Sequence, residues 1–196
     1  MISSSDLQKA ISYNEHRRIV DDLMAQNKTT GNDHSEGMMK YARVNLLRMQ
    51  DLDKSIVIND QLKNVINQLN KKIIFVIITE AWCGDAAQNV PVFSFIENLS
   101  DNIEVKILLR DENLDLMNQY LTNGGKAIPK VICLEKETLK ELFVWGPRPA
   151  QCQVLTMELK ERNASMKEKV DTIHAWYDED KTQSMQKEIG ELLKGI

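Results

Sequence analysis

One segment of this chain has residue types and spacing suited to covalent chemistry: Thr79-Glu80-Ala81-Trp82-Cys83-Gly84-Asp85-Ala86. It follows an apolar run, Ile73-Ile74-Phe75-Val76-Ile77-Ile78, and opens an expected helix that carries Pro91. A thiol at a strand-to-helix junction sits where unpaired backbone N–H groups and the helix dipole favour an anion. That placement lowers a cysteine pKa and makes the thiolate, the reactive species, available. A dithiol redox motif has a second cysteine three residues on, where helical neighbours come about 5–6 Å apart and can be bridged. Here that position is Ala86. The chemistry that remains is attack by a single sulfur.

Cys133 and Cys152 complete an odd set of three, widely spaced, that fits neither a disulfide framework nor a zinc site. His16, His34 and His174 are scattered singly, and nothing in their pattern calls for a metal or a cofactor. Among 196 residues, 42% are hydrophobic, enough for a substantial core, and 28% are charged. A net charge of -4 argues against a nucleic-acid partner, which a basic surface would serve. The N-terminus lacks the apolar stretch of a secretory signal, and the run from Ile73 to Ile78 is far too short to span a membrane. The expectation is a cytoplasmic protein without a membrane partner.

The elements that must position Cys83 follow from periodicity. Residues 1–70 read as helical: Ile19, Val20, Leu23 and Met24 form a short apolar stripe. Met39, Ala42, Leu46 and Met49 recur at helical spacing, and Leu62, Val65, Ile66 and Leu69 make a further apolar face. Strands are expected over 73–78, 105–109, 130–134 and 139–145, with helices over 85–99 and 114–121. The polar turn at 135–138 is so short that the last two strands must form an antiparallel hairpin. This order predicts an α/β fold with a mixed central sheet and helices on both faces. The chain divides into an N-terminal helical extension (1–70), a core (71–150) and a C-terminal helical segment (151–196).

With those elements in place, residues 73–149 resemble a thioredoxin-fold protein, and more narrowly a thioredoxin-like family with a Trp-Cys-Gly-Asp segment. Trp82-Cys83-Gly84 matches the start of the thioredoxin motif. Pro91, eight residues past Cys83, falls where thioredoxins carry the proline of the active-site helix. Ile128-Pro129 falls at the family's cis-proline, which faces the reactive thiol. The resemblance implies a catalytic Cys83, with Trp82, Gly84, Asp85, Ile128 and Pro129 against the substrate. Arg110 and Arg148 are candidate charge partners, the latter in the turn Trp145-Gly146-Pro147-Arg148-Pro149. Two departures stand out. Ile77 occupies the position of the family's buried acid, and Ala86 that of the resolving cysteine.

The resemblance therefore implies a monothiol thioredoxin-like oxidoreductase: Cys83 attacks a protein or small-molecule disulfide, and an external thiol resolves the product. A glutathione-using relative is disfavoured by Trp82 and by the lack of paired glycines beyond Pro129. The alternative from another class is a binding module that keeps the groove around Cys83 and Pro129 without redox turnover. Asp85 is ambiguous at this level. Its charge suits the first helical turn but opposes a neighbouring thiolate.

Overall fold

The computed structural model describes residues 1–196. Four helices come first: α1 (Ser4–Lys9), α2 (Tyr13–Ala25), α3 (Glu36–Ser55) and α4 (Asp60–Asn67). Each starts where a polar side chain accepts a free helical N–H, from Ser3, Ser12, Ser35 and Asn59 in turn. Then follow β1 (Ile73–Thr79), α5 (Gly84–Glu97), β2 (Ile103–Leu109) and a 3-10 turn over Arg110–Glu112. The chain continues through α6 (Leu114–Met117), β3 (Lys130–Glu135) and β4 (Glu141–Trp145). It ends in α7 (Ala150–Glu161), α8 (Met166–Asp180) and α9 (Gln183–Leu193). No helix is long and apolar enough to cross a membrane.

The strands form one sheet in the order β2-β1-β3-β4. β1 runs parallel to β2 and antiparallel to β3, and β3 and β4 make the expected hairpin. The sheet is mixed, as the order of elements requires. The expected helix over 114–121 is shorter than its sequence pattern. After Met117 the bonds tighten, Gln119 N–H donating to the Leu116 carbonyl and Tyr120 N–H to that of Met117. Tyr120 then turns inward, its hydroxyl donating to Glu141 at 2.9 Å.

The apolar run of β1 is explained by burial on both faces. Ile73, Phe75 and Ile77 enter a core shared with Leu62 and Ile66 of α4, Phe93 of α5 and Ile189 of α9. Ile74, Val76 and Ile78 enter a second core with Ile2, Leu116 and Met117. Burying each such side chain contributes about 1.5–3 kcal/mol. The outer edge of β2 would be open to pairing. Ile11 covers it, its N–H donating to the Ile107 carbonyl (2.9 Å) and its carbonyl accepting from Ile107 N–H (2.7 Å).

The turn after β4 is built around Gly146, whose φ is +104°. A Cβ there would collide with the Pro129 carbonyl oxygen. Only glycine meets both demands, and the close approach lays the Trp145–Pro149 turn against Pro129. Gly146→Ala is expected to lower stability by at least about 2 kcal/mol, read as the midpoint shift in urea unfolding. An unchanged midpoint would contradict this packing.

Candidate functional site

Past Thr79 the backbone is held by side chains of the N-terminal helical region. Ala81 N–H donates to Thr30 Oγ1 at 2.8 Å, and Asn45 Nδ2 donates to the Ala81 carbonyl at 3.1 Å. Both side chains are buried. Cys83 then takes the N-cap position of α5 in extended conformation (φ -85°, ψ 119°), with no side chain capping the helix. Its Sγ–H donates to the Ile128 carbonyl at 3.1 Å. The Ile128–Pro129 peptide bond, immediately beyond that carbonyl, is cis. Residues 45 positions apart are thereby joined. Cys83 is half-buried, whereas Cys133 and Cys152 are buried. Cys133 lies inside the sheet core, opposite Phe75.

The electrostatics of Cys83 correct the argument from helix position. Burial pushes its thiol up to about 12, and the charge of Asp85 adds in the same direction. The backbone N–H groups of Ala86 and Asp85, and the Arg148 guanidinium, do pull the value down. That is the helix-tip effect. Desolvation and a like charge outweigh it.

Asp85 is itself tightly held. Arg148 Nε donates to Asp85 Oδ1 at 3.1 Å, Arg148 Nη2 pairs closely with Oδ2, and the Tyr177 hydroxyl donates to Oδ1 at 2.8 Å. Asn89 Nδ2 donates in turn to Tyr177 Oη at 3.0 Å. Arg148 therefore spends most of its charge on Asp85 instead of on the thiol. Arg110 is likewise paired, with Asp111 at 2.7 Å, while its guanidinium lies 4.6 Å from the centre of the Trp82 ring. Cys152, near Asp85, Arg148 and Tyr177, is also pushed up to about 12, by burial first.

Three features had no sequence signal. Glu80 is a buried carboxyl three residues before Cys83, while Ile77 is fully enclosed in the core. Glu80 Oε1 accepts from Asp111 N–H at 2.8 Å, and burial raises its pKa. His174 of α8 reaches the same helix tip. Its Nε2 lies 3.6 Å from where a Cβ on Gly84 would stand. Arg48 Nη1 contacts that nitrogen at 2.7 Å. Arginine only donates, so Nε2 accepts and the neutral ring carries its proton on Nδ1. Burial, and secondarily Arg48, push the His174 pKa down. The third feature is a cleft of about 810 Å³ whose base is Trp82, Cys83 and Gly84, with α3 on one side and α8 on the other.

These charges generate a paired prediction. Asp85→Asn removes a like charge beside Cys83 and releases Arg148, so the thiol pKa should fall by about one unit or more. Arg148→Met should move it up. The pH dependence of Cys83 alkylation, followed by mass spectrometry, measures both. Shifts of the same sign in the two variants would refute the assignment.

A family model described as thioredoxin matches residues 31–167, more than half of the chain. Among solved structures, a protein of unknown function from Pseudomonas aeruginosa is similar at 16% identity. The alignment covers 100% of this chain and 99% of that one, with a TM-score of 0.61. An HIV epitope-scaffold is similar at 18% identity over 95% of this chain and 99% of its own, with a TM-score of 0.58. At these identities the likeness is one of fold. No curated protein matches the chain.

Proposed function

The chain belongs to the thioredoxin family, and from that premise we propose that it is a monothiol exchange protein acting through Cys83. The observation that carries this reading is the placement of its half-buried thiol. Sγ lies at the start of α5, 3.1 Å from the Ile128 carbonyl that precedes Pro129, and Cys83 lines an open cleft. A thiolate formed there attacks one sulfur of a disulfide. A new S–S bond to Cys83 forms, the old one breaks, and the departing thiolate takes up the proton that Cys83 lost. With Ala86 where a second thiol would stand, an external thiol attacks the mixed disulfide and returns Cys83 to its reduced form.

In this reading Trp82 and Gly84 border the bound disulfide, and Ile128 and Pro129 offer backbone to an extended substrate. Asp85, Arg110 and Arg148 set the local charge. The resting site is protonated. With the thiol pushed up to about 12, only a small minority of molecules carries a thiolate at pH 7. Below that pKa the thiolate fraction rises about tenfold per pH unit. The exchange rate should therefore climb continuously between pH 6 and pH 10, and a plateau near neutrality would contradict it. Mass spectrometry after mild oxidation with a disulfide should find the adduct on Cys83 alone. Cys83→Ser should abolish it, and Ala86→Cys should yield an internal disulfide and turnover of a disulfide substrate with dithiothreitol.

One observation favours a second reading, a binding module without turnover: a thiol whose pKa is raised is a poor nucleophile at neutral pH. That reading requires Cys83→Ser to bind its partner as the wild type does. Loss of function in Cys83→Ser with the fold intact excludes it.

A further inference from the structure

The cleft over Cys83 has walls that a bare sheet-and-helix core would lack. Tyr41 and Val44 of α3 form one side, and Met166 and Val170 of α8 the other. Tyr41, Val44 and Met166 expose 41%, 39% and 67% of their surface, although they are large apolar residues. Scattered singly, such residues need no explanation. Here three converge on one thiol. The volume of about 810 Å³ lies within the roughly 300–1,000 Å³ typical of small-molecule sites. A disulfide on a folded protein surface would have to project past both helices to reach Sγ.

The rim has a net charge preference. Lys167 is neutralised by Asp171 at 2.5 Å. His174 also lines the cleft, and it is kept neutral by burial and Arg48. Lys40 is exposed, lines the cleft, and makes no ion pair. An apolar body with an anionic end matches this arrangement.

We propose that the cleft between α3 and α8 selects low-molecular-weight disulfides with an apolar body and a carboxylate, in preference to cationic small disulfides and protein disulfides. The proposal rests on the reading of Cys83 as an exchanging thiol. The apolar half of the substrate packs on Val44, Tyr41 and Met166, its carboxylate lies toward Lys40, and one of its sulfurs meets Cys83 Sγ. The S–S bond of the substrate is exchanged for one between Cys83 and the retained half. The other half leaves as a thiol with the proton from Cys83, and an external low-molecular-weight thiol regenerates the protein. No other oxidant or reductant is needed.

The test compares three probes on the intact chain: 5,5′-dithiobis(2-nitrobenzoate), an aryl disulfide bearing carboxylates; cystamine, which is small and cationic; and insulin. Each rate of adduct formation at Cys83 is divided by the rate of the same probe with free cysteine at the same pH. The normalised rate for the aryl carboxylate should exceed that for cystamine by about tenfold, the scale of one apolar contact and one charge contact. Insulin should be the slowest. Val44→Asp and Lys40→Glu should each reduce the preference, and because both residues lie at the surface, one folded variant suffices. Equal normalised rates, or a preference unmoved by a folded variant, would overturn the substrate class while leaving exchange at Cys83 standing. A wild-type Cys83 that forms no adduct with any probe would overturn both.

Discussion

The ion pair between Asp85 and Arg148 is the contact on which the surroundings of Cys83 depend. Both side chains are mostly buried, and burying a charge costs several kcal/mol unless a partner and further hydrogen bonds offset it. Here the Tyr177 hydroxyl adds a bond from α8 and Asn89 adds one from within α5. Three stretches of chain are thereby tied to the first turn of the helix that carries the thiol: α5 itself, the turn after β4, and α8. Arg148 arrives through the turn in which Gly146 lies against Pro129. Cys83 closes the circuit by donating to the Ile128 carbonyl.

This arrangement sets the thiol's state through opposing influences. Backbone N–H groups at the helix tip favour a thiolate, as they would in any such motif. Desolvation disfavours it more, and Asp85 places a negative charge nearby, partly balanced by Arg148. The resting sulfur is therefore held as a thiol. A protonated cysteine resists unspecific oxidation, so this balance protects the sulfur.

The helices outside the sheet contribute more than stability. Thr30 and Asn45 clamp the backbone at Ala81, two residues before the thiol. α3 and α8 raise walls on either side of Cys83 and convert a surface position into a cleft. The first residues also serve the core, Ile2 closing the second face of the sheet and Ile11 covering the edge of β2.

Much of the fold was legible in residue order. The continuous apolar run of β1, the short polar turn between β3 and β4 and the helical stripes of α3 and α4 are local signals, because burial and backbone geometry repeat with fixed periods. Trp82-Cys83-Gly84, Pro91 and Ile128-Pro129 marked the candidate site through resemblance to the thioredoxin motif, each being a short motif on a predictable element. The thiol's pKa was not legible, and position at a helix start suggested the wrong sign. Desolvation and the net charge of Asp85 with Arg148 depend on residues 63 positions apart. Glu80 and His174 were hidden similarly, since neither carries a pattern in its own neighbourhood. By itself the sequence determined the elements, the lone sulfur and its place at a helix tip. Only the tertiary structure decided how that sulfur is charged and what encloses it, because solvation and Coulomb interactions follow distance in space, which chain order does not encode.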